Sequence, residues 1–324
     1  MMKKTLVALA AVAATGGAFA QAVMTGYIAV GYQSDTTSAN ATTSGMGMDD
    51  AEINFAISET IDGLGKLSAT MGFTNGGRGA TATGNDSTIR LTTASGTAIT
   101  AGTTKGASYL TGGVAAVGTN YNWDLSGKLF SSRTINDAVS VKIPLMEGLS
   151  LSVAHAEAAV SSYWAGTGAA GNGTEQRYNT ASVGYAAGAL TVDAGYRAYD
   201  NTVNASNSSA NTRNRASVSY DLGVAKVGAG YESTQYMYGN SKTDTLVGLN
   251  VPVSGALSLG VQVAGVATSG NATAANNYNR NGYLLGANYN LSKQTYLAAH
   301  YYSYDAGSTV TSPTGYGVFL YKGF

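Results

Sequence analysis

The sequence predicts an all-β fold, a transmembrane antiparallel β-barrel with sixteen strands, and three observations carry that expectation. Alternation of apolar and polar residues with period two recurs from Val23 to the last residue. The connections between alternating segments are short and long by turns. After Ala20 no apolar run reaches the roughly 20 residues that a spanning helix needs, so membrane crossings fall to strands.

The amino-terminal segment has its own reading. Met1, Met2, Lys3 and Lys4 precede an apolar stretch from Leu6 to Ala14, and Ala18-Phe19-Ala20 stands before Gln21. A basic start, a short apolar core and an A-x-A pattern predict a secretory signal peptide over residues 1–20, leaving residues 21–324 as the barrel domain. Its removal takes away Lys3 and Lys4, so the 18 Lys+Arg become 16 against 18 Asp+Glu, a formal net charge of −2.

The first strong alternation sets Ala51, Ile53, Phe55 and Ile57 against Glu52, Asn54, Ala56 and Ser58. The next sets Leu67, Ala69, Met71 and Phe73 against Lys66, Ser68, Thr70 and Gly72. Each is nine or ten residues long, enough for a tilted strand to cross a bilayer. Further along, Ile89 and Leu91 face away from Arg90 and Thr92, and Val139, Val141 and Ile143 from Ser140 and Lys142. Leu190, Val192, Ala194 and Tyr196 oppose Asp193 and Arg197, and Leu257, Leu259, Val261 and Val263 oppose Ser258 and Gln262. One such segment also suits a soluble sandwich; the number of repeats and their spacing point to a barrel.

Taken together the predicted strands are 23–33, 49–59, 65–74, 86–95, 97–104, 136–144, 148–158, 176–187, 189–199, 213–222, 224–234, 242–252, 255–266, 279–290, 293–304 and 315–324. A count of fourteen stays open, because 97–104 and 136–144 are the least regular. Short turns are expected near Ile61–Gly65, Ser95–Gly96, Pro144–Gly148, Ala187–Ala189, Leu222–Val224, Pro252–Gly255 and Leu291–Lys293. Longer connections are expected near 34–48, 75–85, 159–175, 200–212, 235–241, 267–278 and 305–314, with the longest after Thr104. An even count and this asymmetry place both chain ends on one side of the membrane. Tyr27, Tyr185, Tyr196, Tyr220, Tyr231, Tyr283, Tyr289, Tyr296 and Tyr316 lie in the strands, as rings suited to a lipid–water boundary.

Composition narrows the chemistry. The chain has 43 glycines, 22 tyrosines, 3 prolines and 11% charged residues, a poor match to disorder, and it lacks the strict glycine period of collagen. No cysteine and only two histidines, His155 and His300, remove thiolate sites and a histidine metal cluster. No basic arm suggests nucleic acid. Neither an enzyme nor a cofactor is expected.

The residues also resemble a known family. Val23-Met24-Thr25-Gly26-Tyr27 is similar to the opening strand V-T-L-Y-G of the sixteen-stranded general porins of Gram-negative bacteria, in their beta-proteobacterial branch. Glu59-Thr60-Ile61-Asp62-Gly63-Leu64-Gly65-Lys66-Leu67 resembles that family's first turn, E-D-L-G-x-G-L-K-A, with Ile-Asp added before the glycine. Tyr289-Asn290-Leu291-Ser292-Lys293-Gln294-Thr295-Tyr296 matches Y-x-L-S-K-R-T with Gln294 in place of arginine. The final Gly315–Phe324 resembles the closing strand, with Lys322 where an aromatic or histidine is usual.

The resemblance implies a homotrimer in the outer membrane, long loops extracellular and termini periplasmic, in contact with outer-membrane lipid and lipopolysaccharide. It also implies delivery to the barrel-insertion machinery through Phe324. A third loop, Lys105–Ile135, would fold inward and narrow the pore. That segment carries Gly112-Gly113-Val114-Ala115-Ala116-Val117-Gly118, then Trp123 and Asp124, where the family has an acidic-aromatic P-E-F-F motif.

Passive diffusion of small hydrophilic solutes and ions through a water-filled pore is the function this predicts. A charge on the lipid face would cost about 2–4 kcal/mol at mid-depth, whereas water solvates it in the lumen. Alternation therefore assigns Glu52, Lys66, Arg90, Lys142, Asp193, Arg197, Arg215, Lys226, Glu232, Asp244 and Arg280 to the lumen or its rims. The expected pore-lining set is Arg90, Lys142, Arg197, Arg215 and Arg280, opposed by Asp124 from the loop. The basic excess favours a mild anion preference, against which loop acids Asp35, Asp49, Asp50 and Glu175 would draw cations to the mouth. The competing reading is a surface structural or adhesive barrel presenting polar loops such as Ser34–Gly47 and Asn201–Asn211. A sugar or aromatic-acid channel would need a track of aromatic rings, which Trp123 alone does not make.

Overall fold

In the computed structural model, residues 22–75, 82–105, 125, 128–129, 135–157, 177–200, 210–270, 277–307 and 312–324 are described. They form sixteen strands: β1 (Val23–Thr36), β2 (Thr42–Ile61), β3 (Gly65–Thr74), β4 (Thr83–Thr93), β5 (Ala98–Lys105), β6 (Ile135–Met146), β7 (Leu149–Glu157) and β8 (Tyr178–Ala187). The second half comprises β9 (Leu190–Tyr199), β10 (Ala210–Asp221), β11 (Lys226–Tyr236), β12 (Ser241–Pro252), β13 (Leu257–Ser269), β14 (Tyr278–Ser292), β15 (Thr295–Tyr304) and β16 (Thr314–Gly323). Every strand pairs antiparallel with its sequence neighbours, and β1 pairs with β16, closing a transmembrane barrel. The two weakest segments, β5 and β6, are regular partners from Ala98↔Lys142 to Lys105↔Ile135, which settles the count at sixteen.

Closure brings the first and last strands very near. A Cβ on Gly31 would sit 2.1 Å from the Val318 carbonyl oxygen, so only glycine fits this part of the seam. At its end the Gly26 N–H donates to the Phe324 carbonyl (3.2 Å) and the Phe324 N–H to the Gly26 carbonyl (3.0 Å). Phe324 thus joins the ring by its backbone.

The short turns cluster at one end. Left-handed glycines turn the chain at Gly63, Gly96, Gly148, Gly188 and Gly223, where a residue with a Cβ would be strained. The opposite end carries the longer connections, but the first of these departs from expectation. Residues 34–48 are not a loop: β1 and β2 stay paired up to Thr36↔Thr42, and only Thr37–Ala41 turns, with Asn40 left-handed (φ 61°). One bulge between Ala29 and Val30 keeps this long hairpin in register with the wall.

Alternation separates the two faces. Val139, Val183, Val218, Val247, Val263, Leu285 and Val318 point outward and are well exposed, as an apolar belt must be in a membrane protein. Tyr185, Tyr196, Tyr220, Tyr231, Tyr283, Tyr289 and Tyr316 share that face. Tyr27 and Tyr296 do not: Tyr27 lies level with Glu52 and Tyr296 with Asn290 and Tyr321, all on the inner wall, where their hydroxyls and ring faces serve other side chains. One outward polar group breaks the belt near the long-loop end, where Glu157 bridges Arg177 (3.0 Å) and His155 (3.1 Å).

Candidate functional site

The inner wall divides into three arcs of different chemistry. On β1 and β2 the side chains are acidic. Tyr27 donates to Asp50 (2.7 Å), Tyr302 to Asp35 (2.6 Å) and Tyr321 to Asp49 (2.8 Å), while Thr74 also donates to Asp50 (3.0 Å). Asn54 donates to Glu52 and Gln33 to Asp35. Asp35, expected in the 34–48 loop, belongs to a strand because the first hairpin is taller than its composition suggests, and Asp49 and Asp50, read as acids of the mouth though at the start of the predicted strand 49–59, lie well inside β2. Tyr27 belongs to the same hairpin as Asp50, whereas Tyr302 and Tyr321, on β15 and β16, are far from Asp35 and Asp49 in sequence and adjacent only because the barrel closes.

The arc facing them is basic. In a ring of sixteen, β9 and β10 stand eight strands from β1 and β2 in either direction, so the two arcs are diametrically opposed. Register puts Arg197 beside Arg213, Arg215 beside Gly195 and Glu232, and Ser217 beside Asp193. Glu232, only 2% exposed, pairs with Arg215 (2.8 Å) and Arg213 (3.4 Å). Asp193 is within electrostatic reach of Lys142 and Arg215. Asp244 on β12, opposite Glu232, is held by Lys242 (3.1 Å).

The third arc, on β12 to β16, is apolar and aromatic. Leu246, Leu284, Tyr302, Phe319 and Tyr321 form one buried cluster with Leu125 and Leu129, which belong to the connection between β5 and β6. Those two leucines lie one helical turn apart, the Leu129 N–H donating to the Leu125 carbonyl (2.8 Å). Between them Lys128 sets its ammonium 4.9 Å from the Tyr302 ring centre. Beneath, Tyr304, Tyr302, His300 and Phe319 follow one another at 6.1, 6.3 and 5.8 Å. This is a continuous row of rings, but Tyr302, His300 and Phe319 are at most 5% exposed. It receives protein side chains and is closed to a sliding solute. Beside it a cleft of about 610 Å³ opens between Gln33, Asp35, Asp49, Lys128, Tyr302 and Phe319.

The sequence-derived set falls in part inside these arcs and in part between them. Arg90 lies level with Ser68 and Thr100, and Lys142 with Ala98 and Ser152, both on the inner face. Arg197 and Arg215 fall together in the basic arc. Arg280 is inner-facing at the long-loop end, its guanidinium 3.8 Å from the Tyr278 ring and packed against Gly307. Asp124, Trp123 and Glu175 lie outside the described residues. Arg213, Tyr178 and Tyr199 were missed, although Arg213 stands two residues before Arg215 at the start of the predicted strand 213–222 and alternation gives it the same face. His300 is a packed ring on the inner wall, between Tyr302 and Phe319.

Likeness to known proteins agrees with this geometry. Among solved structures, the anion-selective porin from Comamonas acidovorans superposes with a TM-score of 0.70 at 17% identity, covering 94% of this chain and all of that one. OmpT, an outer membrane protein of Vibrio cholerae, gives 0.65 at 13% identity over 96% and 99%. A Rh. blastica porin mutant gives 0.66 at 13% identity over 94% and 100%. At such identities these comparisons establish the fold. No curated protein matches the chain. The family model described as Gram-negative porin matches residues 5–309, and the chain belongs to that family.

Proposed function

We propose that this protein is a passive diffusion channel of the outer membrane, taking small hydrophilic solutes and ions through the barrel with a mild preference for anions. The observation that carries this reading is the opposition of two charged arcs across a closed barrel. Such opposition creates a transverse field in which polar solutes and water orient while apolar ones are disfavoured. The sign of the preference follows from the charge of the wall. Glu232 and Asp244 are held by cations, and the acids of β1 and β2 keep their charge under the tyrosine hydroxyls that donate to them, while across the lumen Arg90, Lys142 and Arg197 make no salt bridge among the described residues and add to the basic excess of the wall. The Comamonas acidovorans relative is described as anion-selective, in line with this sign.

The third loop is read as folded inward to narrow the passage, a view supported by the burial of Leu125 and Leu129 against inner-wall side chains. Arg90, Lys142, Arg197, Arg215 and Arg280 then line the remaining path, with Asp124 from the loop facing them. Family membership supports a homotrimer, and the turn asymmetry supports extracellular long loops and periplasmic termini. The outward Tyr316, Val318, Leu320 and terminal Phe324 support recognition by the insertion machinery. The Tyr289–Tyr296 and closing-strand motifs support the beta-proteobacterial branch, and the amino-terminal pattern supports a signal peptide over residues 1–20.

The test is reconstitution of the purified protein in planar bilayers. Stable ohmic steps and a reversal potential displaced toward the chloride equilibrium value in a KCl gradient are expected. A bilayer that stays insulating would overturn the channel reading and favour a surface anchor; a displacement toward potassium would overturn the preference alone.

A further inference from the structure

We propose that Arg197 and Arg213, with Tyr178 and Tyr199, form a binding subsite for oxyanions, phosphate or carboxylate, in the long-loop half of the lumen. The inference rests on the reading of the lumen as a solute path. Its starting point is a pairing that sheet energetics disfavour. Arg197 and Arg213 stand directly opposite one another on neighbouring strands, where like charges repel. The wall avoids this elsewhere on the same two strands, with Arg215 beside Gly195 and Ser217 beside Asp193.

The two side chains are also pre-positioned. The Arg197 guanidinium carbon lies 3.7 Å from the centre of Tyr178 and 5.8 Å from that of Tyr199, and Arg213 lies 5.6 Å from Tyr199. Tyr178 and Tyr199 meet edge to face at 5.5 Å and 60°. Tyr199 therefore stands between two guanidiniums. Stacking on Tyr178 occupies the flat face of the Arg197 guanidinium and leaves its N–H edge for in-plane hydrogen bonds, the geometry in which arginine grips two oxygens of one anion, while Arg213 is fixed nearby by Thr234 (3.0 Å) and Glu232 (3.4 Å).

Donor accounting points the same way. Arg197 donates through Nε to Thr180 Oγ1 (3.3 Å) and through Nη1 to the Tyr199 hydroxyl (3.4 Å), using two of the five N–H groups an arginine carries. Both contacts are to neutral oxygens. Glu232 lies deeper and pairs with Arg213 and Arg215, whereas Arg197 makes no salt bridge among the described residues. A bound anion with two adjacent oxygens accepts from the remaining N–H groups of Arg197, with the charge of Arg213 beside it. Chloride, a sphere, can answer the charge but not the fork.

Inorganic phosphate and acetate serve as probes on the detergent-purified full chain. The 31P resonance of phosphate is expected to broaden with the wild type, with acetate competing. Arg197→Gln and Arg213→Gln should each weaken the effect about tenfold, the loss of one charge-assisted forked contact. Arg197→Lys keeps the charge but not the planar fork and should still lose phosphate. Arg177→Gln, on the outer surface, should change nothing. Broadening that survives both glutamine variants, or a lysine variant that binds like the wild type, would overturn the subsite. If phosphate binds but no current flows, the channel reading falls and the subsite stands; if current flows without a phosphate response, the reverse holds. Acetate that fails to compete restricts the site to tetrahedral anions.

Discussion

Replacing Asp35 and Asp49 by asparagine removes two charges from the acidic arc while keeping acceptors for Tyr302 and Tyr321, and this double variant measures the transverse field directly. Sixteen strands spaced about 4.8 Å apart and tilted by about 40° close a wall of roughly 16 Å radius, placing an inward carboxylate about 12 Å from an ion on the axis. In water one charge at that distance changes an ion's energy by about 0.35 kcal/mol. Potassium and chloride respond with opposite signs, so two carboxylates shift their difference by about 1.4 kcal/mol, or about tenfold in permeability ratio before screening. With a Debye length near 10 Å at 0.1 M salt the shift falls to about twofold; near 30 Å at 0.01 M about fivefold remains. Reversal potentials across a KCl gradient at both mean concentrations read it. The expected result is movement toward chloride that grows as salt is lowered. No movement, or movement independent of salt, would refute the assignment of these carboxylates to a wet inner wall.

Other substitutions probe separate parts of the fold. Leu125→Ala empties a fully buried position of the aromatic arc, a loss of about 2–5 kcal/mol of local anchoring; single-channel conductance should rise or become noisy while the barrel's far-ultraviolet spectrum is unchanged. Glu232→Ala strands Arg213 and Arg215 together and should lower stability by about 3 kcal/mol, seen as an earlier urea midpoint, with Glu232→Gln losing less. Val183→Arg, on the outer face, should cost about 2–4 kcal/mol in lipid, whereas Ser182→Arg, one residue away on the inner face, should fold normally and narrow the pore. Equal folding yields for these neighbours would contradict the assignment of faces.

The strands were legible because lipid imposes a simple rule: outward residues must be apolar and a single-residue slip would bury charge. Residues 65–74 match the predicted strand, and most other boundaries moved by three residues or fewer. Thr42–Met48 was illegible for a physical reason. Among its small residues and two glycines only Met46 and Met48 alternate, too short a pattern to read, and pairing with Val30–Thr36 makes it a strand. The site was half legible. Alternation puts Arg197 and Arg215 on the inner face, since each flanks outward Ala194–Tyr196 or Ala216–Val218. It could not show that Asp35 meets Tyr302 or that Asp49 meets Tyr321, contacts more than 260 residues apart along the chain that exist only through closure. Nor could it tell an interfacial tyrosine from Tyr27 or Tyr296, because period two gives a face without saying which face is wet.

The reciprocal hydrogen bonds between Gly26 and Phe324 make the wall a loop with no natural starting point. A circular permutant that joins Phe324 to the start of β1 through a short linker and opens the chain in one of the short turns, at Gly188 for example, keeps every strand pair while moving Phe324 into the middle of the polypeptide. Such a molecule should refold in detergent like its parent. In the cell it separates the structural role of Phe324 from the address label proposed for it, for it retains the first and gives up the second.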